Sequence, residues 1–319
     1  MTYLILFAGF AFLILGAHWL VDGGRAIGKR LNIPDIVIGL TIVSIGTSAP
    51  EMVVSVIASA KGATDLAIAN VIGSNIFNTL IIIGVAAVIY PISIKKDTLR
   101  WELPLSMFAS VVLLLLARDY IPTGGKSLSV VRLDGVIFLL LFAGFLYYTY
   151  LTAKNHDRND GDEIKIRSTA KSLLLISAGL VFLYAGGRMS VNGAVDVARQ
   201  LGISEKTIGV TVVAVATSLP ELVTSVVAAY KRNSDIAIGN ALGSNIFNIW
   251  LVLGLSALIS PLPFQSYMMP DLYVSILSNL VIMLFIIGIS PAQRNINRPQ
   301  GGILILLYFA YIAYVFWPA

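Results

Sequence analysis

The sequence predicts an all-α polytopic membrane protein with ten transmembrane helices, arranged as two inverted five-helix repeats. Three observations support this fold class. Hydrophobic residues make up 57% of the chain and charged residues only 12%, whereas about a quarter of the residues in a soluble domain are charged. Apolar stretches recur along the whole chain, with lengths near the ~20 residues that cross a bilayer. The two halves of the chain also resemble each other in sequence.

The apolar stretches divide the chain into ten predicted spans. They cover about 3–29, 35–60, 66–90, 101–118, 130–153, 170–198, 205–230, 236–260, 271–290 and 301–317. The first stretch has no preceding basic segment, so we interpret it as a span and not as a cleaved signal. The first five spans form a first repeat, 1–153, and the last five form a second repeat, 171–319. The hydrophilic segment 154–170 between them is the predicted cytoplasmic linker.

A sequence duplication relates the two halves at a fixed offset of 170 residues. Residues 31–91 align with 201–261 without a gap and share 29 identities in 61 positions. The hexapeptide Gly-Ser-Asn-Ile-Phe-Asn occurs at 73–78 and again at 243–248, and the pattern Thr-Ser-x-Pro-Glu occurs at 47–51 and 217–221. Chance similarity between apolar segments would match Val, Ile and Leu, and not a complete polar hexapeptide, so we infer an internal repeat.

The predicted number of spans gives the repeats opposite orientations in the membrane. Five is odd, so equivalent points of the two halves face opposite sides, a common plan in secondary transporters. With the amino terminus outside, the inward loops carry 15 of the 22 Lys and Arg residues and the outward loops carry 7. The positive-inside rule therefore predicts that both termini are outside and that the linker is cytoplasmic.

Composition and missing motifs exclude several classes of function. The chain has no cysteine, which excludes disulfides, thiol catalysis and Cys-based metal sites. Its net charge of +5 is spread over the loops without a basic stripe, so we predict no nucleic-acid partner. No His-Glu-x-x-His pair and no P-loop occurs, which argues against a zinc protease and against ATP-driven pumping. We predict no enzyme activity and no cofactor.

Two glutamates are the strongest candidates for the functional site. Glu51 and Glu221 lie near the middle of predicted spans 2 and 7, where an ionisable side chain is costly to place. A structural carboxylate, held protonated or paired with an arginine, is the alternative interpretation of either residue alone. Their equivalent positions in inverted repeats favour a shared cation site near the pseudo-two-fold axis, where two negative charges attract cations.

Oxygen-bearing side chains surround both glutamates in the sequence. Pro50 and Pro220 each remove a backbone donor, which frees carbonyls at membrane depth. Thr47 and Thr217 each lie four residues before a glutamate, which on a continuous helix is the same face. A polar stripe with a spacing of four occurs in each half: Asn70, Ser74 and Asn78, then Asn240, Ser244 and Asn248. The amides could instead only join helices, an interpretation that suits Asn70 and Asn240 best.

These donors suit hard cations. Carboxylate, hydroxyl, amide and carbonyl oxygens are the ligands that Ca²⁺ prefers, whereas softer metals prefer sulfur and imidazole. Two carboxylates match the charge of one Ca²⁺, and the same pocket could hold several Na⁺ ions or protons instead. Such competition for shared ligands is the physical basis of coupled exchange.

At these residues the sequence resembles the calcium/cation antiporter superfamily, in particular the prokaryotic sodium/calcium exchangers. The resemblance rests on two segments, 39–78 and 209–248, which carry the duplicated motifs. It implies a ten-helix fold in which spans 2, 3, 7 and 8 form the ion-binding core and spans 1 and 6 slide against it. It also implies exchange of Ca²⁺ for Na⁺ by alternating access, in a prokaryotic plasma membrane. Asn248 stands where some relatives have aspartate, which argues against K⁺ co-transport.

The resemblance also implies a ligand set. Glu51 and Glu221 would bind both ions, and oxygens of the Thr-Ser pairs in the two motifs would join them. The implied metal ligands are Glu51, Glu221, Thr47, Thr217, Ser48, Ser218, Ser74, Ser244, Asn78, Asn248 and the carbonyls of Ser44 and Ala214.

Two other functions stay open from the sequence. An H⁺/Ca²⁺ antiporter would use the same glutamates, because carboxylates also bind protons. An ion channel fits less well, because inverted halves favour alternating access over a symmetric pore. The predicted partners are Ca²⁺, Na⁺ and the lipid bilayer, with H⁺ as the alternative coupling ion and a monomer sufficient for transport.

Overall fold

Helices form almost all of the described chain, which comprises residues 2–118, 120, 128–154, 168–200, 217–288 and 294–315 of a computed structural model. In chain order the helical segments are α1 (Thr2–Leu31), α2 (Asp35–Thr47), α3 (Ala49–Ala60), α4 (Thr64–Ile89), α5 (Thr98–Ala117), α6 (Arg132–Lys154), α7 (Thr169–Gln200), α8 (Leu219–Tyr230), α9 (Ser234–Ile259), α10 (Ser266–Gly288) and α11 (Arg298–Val315). Turns of π-helix occupy Gly39–Val43, Asn78–Ile82, Thr98–Glu102 and Asn248–Leu253, and a 3-10 turn, Ser266–Met268, opens α10.

The described helices form a multi-span membrane bundle. Seven of them are long and apolar enough to cross a bilayer, and the bent pair of α2 and α3 makes an eighth if it is one span; this count covers the described residues alone. The predicted spans at 205–230 and 301–317 correspond to α8 and α11, although residues 201–216 lie outside the described chain. Ten spans and their inverted arrangement therefore stay predictions. So does the linker, of which residues 155–167 are also outside the described chain.

The bundle is apolar outside and partly polar inside, the reverse of a soluble protein. Phe7, Leu140 and Leu306 are 70%, 66% and 68% exposed, whereas Glu51 and Asn240 are completely buried. An apolar surface of this extent suits lipid and not water. The interior therefore holds the polar groups that sequence analysis selected.

The two longest helices, α1 and α7, pack against each other along their length in opposite directions. Glycines recur every seven residues on both: Gly9, Gly16 and Gly23 on α1, and Gly179, Gly186 and Gly193 on α7. A Cβ added at Gly16 would lie 2.8 Å from the Gly179 carbonyl oxygen, and one at Gly9 would lie 2.9 Å from that of Gly186. The absence of side chains at these positions therefore brings the two backbones together, as in other membrane helix pairs.

Two short antiparallel ribbons connect the halves of the chain. Strand β1 (Ile92–Ser93) pairs with β4 (Asn295–Ile296), and β2 (Ser129–Val130) pairs with β3 (Leu262–Pro263). Each ribbon thus contains one strand from the first half and one from the second. The connections after α4 and after α9, which are equivalent in the sequence duplication, are both fixed by the opposite half.

The duplicated sequences adopt matching local backbones. Ser48 and Ser218, which precede α3 and α8, have φ, ψ of −83°, 6° and −88°, 5°. Positive φ angles occur at equivalent positions after α3 and α8, with 78° at Gly62 and 57° at Arg232. Because equivalent residues take equivalent conformations, the two halves present their polar motifs in the same local form.

Candidate cation-binding site

Each glutamate lies in the first turn of a short helix that begins at a proline motif. Proline is tolerated at the start of a helix, because its missing N–H would have no partner there. The axes of α2 and α3 are bent by 48° at Ser48, the residue between them. The positive end of the helix dipole therefore lies close to Glu51, where it favours negative charge. In the second half Pro220 and Glu221 occupy the same positions in α8.

The carboxylates of Glu51 and Glu221 are held by hydroxyls from the opposite half. Ser48 Oγ donates to Glu221 Oε1 at 2.8 Å, and Ser218 Oγ donates to Glu51 Oε1 at 3.1 Å. Both glutamates are buried, at 0% and 1% exposure. Each carboxylate therefore lies against the residue that precedes the other glutamate's helix, which brings the two acids to one interface.

The serines of α4 and α9 extend this interface. Ser244 Oγ lies 2.9 Å from Ser48 Oγ, and Ser74 Oγ lies 3.1 Å from Ser218 Oγ. All four hydroxyls are buried. Ser74 is thus linked to Glu51 through Ser218, and Ser244 is linked to Glu221 through Ser48.

The threonines are placed differently from the sequence-based expectation. The bend at Ser48 puts Thr47 and Glu51 in separate helical segments, so a shared helix face does not describe their relation. Thr47 Oγ1 lies 3.1 Å from Asn240 Oδ1, and Thr217 Oγ1 lies 3.4 Å from Asn70 Oδ1, so both threonines contact the opposite half.

Asn70 and Asn240 fix the backbone beside each glutamate. Asn240 Nδ2 donates to the Glu221 carbonyl at 3.1 Å and to Ser225 Oγ at 2.9 Å. Asn70 Nδ2 makes the same pair of contacts, with the Glu51 carbonyl at 3.4 Å and Ser55 Oγ at 3.0 Å. These amides bond protein groups on both sides, in keeping with the structural interpretation that the sequence favoured for them.

Asn78 and Asn248 each begin a turn of π-helix, a local irregularity that is frequent at functional sites. Asn78 Nδ2 donates to Asn245 Oδ1 at 3.2 Å, and Asn248 Nδ2 donates to Asn75 Oδ1 at 3.1 Å. Both side chains are about 1% exposed. The Nδ2 atoms of Asn78 and Asn248 therefore donate to protein groups, whereas their Oδ1 atoms take no part in these two bonds.

Ten buried side-chain oxygens of the described residues have no hydrogen-bond partner, and four of them belong to the candidate site: Glu51 Oε2, Glu221 Oε2, Asn78 Oδ1 and Asn248 Oδ1. Buried acceptors are nearly always satisfied, because an unpaired one costs about 1–3 kcal/mol. The four form two equivalent pairs, one carboxylate and one amide oxygen from each half. Within the described chain, no ion pair joins either glutamate to a lysine or arginine. The arrangement therefore has the chemistry to bind a hard cation.

Two predicted ligands and one missed group complete the account. The Ser44 carbonyl accepts from Ser48 N at 2.9 Å and from Thr47 Oγ1 at 3.3 Å, so it is already bonded within its helix. Ala214 lies outside the described residues. Sequence analysis gave no role to Asn75 and Asn245, although both stand inside the duplicated hexapeptide, which was the available signal.

Comparison with known proteins identifies the family. The family model described as sodium/calcium exchanger protein matches residues 1–151 and 171–317. The sodium/calcium exchanger MaX1 of Methanosarcina acetivorans is 31% identical over 99% of both chains. The inner membrane protein YrbG of Escherichia coli (strain K12) is 34% identical over 98% of this chain and 96% of its own.

A solved structure of a sodium-calcium exchanger has a similar fold. The sodium-calcium exchanger NCX_Mj superposes on this chain with a TM-score of 0.83, at 30% identity, over 98% of this chain and 99% of that one. The similarity covers both halves of the chain. This chain is therefore a multi-pass membrane protein and a member of the sodium/calcium exchanger family.

Proposed function

We propose that this protein exchanges Ca²⁺ for Na⁺ across the membrane, and that both ions use the same oxygens of Glu51, Glu221, Asn78 and Asn248. The observation that carries the proposal is the set of four buried, unpartnered oxygens contributed equally by the two halves. Hydroxyls of Ser48, Ser218, Thr47, Thr217, Ser74 and Ser244 and carbonyls of Ser44 and Ala214 complete the proposed ligand set. Oxygen donors of these kinds are typical of Ca²⁺ sites.

Charge balance explains why the exchange is coupled. Two carboxylates neutralise one Ca²⁺, and Na⁺ ions that take the same oxygens make simultaneous occupancy by Ca²⁺ unfavourable. Among the described residues no group of three or more His, Cys, Asp or Glu side chains is placed to hold a metal, so the site has limited negative charge to share. Each ion therefore leaves when the other binds, which converts a gradient of one into movement of the other.

The proposed transport cycle is alternating access between two inverted five-helix repeats. The reciprocal bonds of Ser48 to Glu221 and of Ser218 to Glu51 support a site shared by the repeats. In this cycle α1 and α7 slide as a pair against the core, and their glycine-lined contact supports a common movement. The proposed orientation, from the Lys and Arg distribution, has both termini outside and the central linker in the cytoplasm. The family resemblance suggests a prokaryotic plasma membrane.

Flux measurements on the purified protein test the proposal. Proteoliposomes are loaded with Na⁺ and diluted into Na⁺-free medium that contains radioactive Ca²⁺, with pH and membrane potential clamped by ionophores. We expect uphill Ca²⁺ uptake from the Na⁺ gradient and none from a K⁺ or pH gradient. Uptake driven by the pH gradient alone would replace the proposal with H⁺/Ca²⁺ exchange. Downhill flux without concentration of Ca²⁺ would indicate a channel.

A further inference from the structure

An amide ligand presents a problem of polarity that a carboxylate does not. Its two ends, the carbonyl oxygen and the NH₂ group, have nearly the same shape, but only the oxygen attracts a cation. Rotation of Asn78 or Asn248 by half a turn would place two N–H donors in the proposed site. Something in the surrounding protein must therefore determine which end faces the ion.

Asn75 determines the polarity of Asn248. Asn75 Nδ2 donates to the backbone carbonyl of Asn245 at 3.1 Å, and a carbonyl can only accept. The amide of Asn75 is thereby fixed, so its Oδ1 faces Asn248 and accepts from Asn248 Nδ2 at 3.1 Å. Asn248 must present its nitrogen to Asn75, and its Oδ1 is left for the site.

Thr79 and Asn245 determine the polarity of Asn78. Thr79 Oγ1 donates its one proton to the Asn75 carbonyl at 2.8 Å, so towards Asn245 it can only accept. Asn245 Nδ2 lies 2.9 Å from Thr79 Oγ1, which turns Asn245 Oδ1 to Asn78. Asn78 Nδ2 then donates to it at 3.2 Å, and Asn78 Oδ1 is left for the site.

A second hydroxyl acts in the same sense on Asn245. Ser106 Oγ donates to Asn279 Oδ1 at 3.1 Å, so it also meets Asn245 Nδ2, at 3.4 Å, as an acceptor. Asn279 cannot reverse this bond, because its own Nδ2 is bound to the Ser275 carbonyl at 2.9 Å.

We infer that Asn75, Asn245 and Thr79 are positioning residues that hold the oxygens of Asn78 and Asn248 toward the transported cation. All three are 0–1% exposed, so water does not compete for their bonds. The inference rests on the proposed function, because it assigns the polarity of the proposed site. It is also asymmetric, because Ile249 stands in the second half at the position equivalent to Thr79. Loss of the Thr79 hydroxyl should therefore loosen Asn78, because only the longer Ser106 bond then orients Asn245, and should leave Asn248 fixed.

The test compares Thr79→Val with Thr79→Ser in the purified full-length protein, with Ca²⁺ binding measured by titration calorimetry. Valine keeps the shape and removes the proton, whereas serine keeps the proton and removes a methyl group. We expect Thr79→Val to weaken Ca²⁺ binding by about tenfold, the effect of one buried hydrogen bond, and Thr79→Ser to restore most of it. Packing alone would not favour serine over valine.

Thr149→Val is the matched control. Thr149 is also buried and also donates to a backbone carbonyl, that of Leu146 at 2.8 Å, but it lies on α6 without a bond to the asparagines. Its substitution should leave Ca²⁺ affinity unchanged. If Thr79→Val does not fold, Thr79→Ala removes the same proton with no added bulk and serves in its place.

A second comparison separates polarity from general damage. In an Asn78→Asp background the side chain has no N–H end to turn to the ion, so adding Thr79→Val should change Ca²⁺ affinity by less than about threefold. An equal loss in both backgrounds, or wild-type affinity in Thr79→Val, would overturn the inference. Wild-type protein that binds Ca²⁺ without Na⁺-driven flux would overturn only the proposed exchange, because the binding assay needs no coupling ion.

Discussion

Ser48 Oγ lies 2.8 Å from Glu221 Oε1, so a hydroxyl from the first half of the chain holds the carboxylate of the second. Ser218 does the same for Glu51. Since a hydrogen bond to a charged group contributes roughly 1.5–3 kcal/mol, these two bonds contribute substantially to the position of each acid.

Replacing Ser48 with alanine should therefore affect Glu221 more than its near neighbour in sequence, Glu51. We expect Ser48→Ala to lower the melting temperature of the detergent-solubilised protein, and we expect much of that loss to disappear in a Glu221→Ala background, which lacks the acceptor. The same change in a Glu51→Ala background should keep its full effect. Equal coupling to both glutamates would contradict the crossed arrangement.

Neutralising either glutamate should remove most Ca²⁺ binding. Substitution of groups that only support metal ligands costs 10- to 100-fold in affinity, so we expect losses on the order of 100-fold or more for Glu51→Gln and Glu221→Gln. Glu102→Gln is a matched control, because Glu102 is also buried in the bundle but bonds Tyr148 at 2.6 Å outside the site. A control that loses as much Ca²⁺ affinity would show that buried acids in general, and not this pair, govern binding.

Bound Ca²⁺ should stabilise the folded protein, and Na⁺ should reverse the effect. At a free Ca²⁺ concentration one hundred times Kd, stabilisation by mass action is about 2.7 kcal/mol, which a thermal melt detects. Raising Na⁺ at constant Ca²⁺ and constant ionic strength should reduce the Ca²⁺-dependent shift if the ions compete. Additive stabilisation by the two ions would mean separate sites.

A methyl group at Gly16 should push α1 and α7 apart. The added Cβ would lie 2.8 Å from the Gly179 carbonyl oxygen, a backbone atom that cannot move alone. We expect Gly16→Ala to destabilise the protein by about 1–3 kcal/mol, as overpacking does elsewhere. Gly144→Ala on α6 meets nothing within 4 Å and should be neutral or stabilising, because alanine favours helix. Equal melting temperatures for the two variants would contradict the close contact.

The inverted arrangement can be tested with single cysteines, since the natural chain has none. Lys61 and Arg232 lie in equivalent turns, after α3 and after α8, and both are exposed. In sealed right-side-out vesicles, a membrane-impermeant maleimide should label Lys61→Cys without lysis and Arg232→Cys only after lysis. Labelling of both from one side would show that the repeats are parallel.

The sequence was sufficient for the family, the membrane class and the central pair of acids. Its duplication selected Glu51 and Glu221, and the structure brings both to one buried interface. The comparisons confirm the resemblance to sodium/calcium exchangers. These successes share a physical cause, because carboxylates are too costly in lipid to occur twice at equivalent depth without a shared reason.

Other features could not be read from the sequence. The hydrogen bonds of Asn75 and Asn245 run between helices that are distant in the chain, and the duplicated hexapeptide marks both residues without showing which groups they bond. Thr79 was missed because Ile249 stands at its equivalent position, and Ser106 was missed because it lies outside the aligned segments 31–91 and 201–261. The π-helical turns at Asn78 and Asn248 depend on tertiary packing, as do the ribbons between the halves.

The crossed serine–glutamate bonds also have a consequence for biosynthesis. When the first half has entered the bilayer and the ribosome is still making the second, Glu51 has no Ser218 to hold it. Its carboxyl group must then stay at the lipid–water boundary or remain protonated. We therefore expect the core helices of the first half to complete their packing only after the second half has entered the membrane.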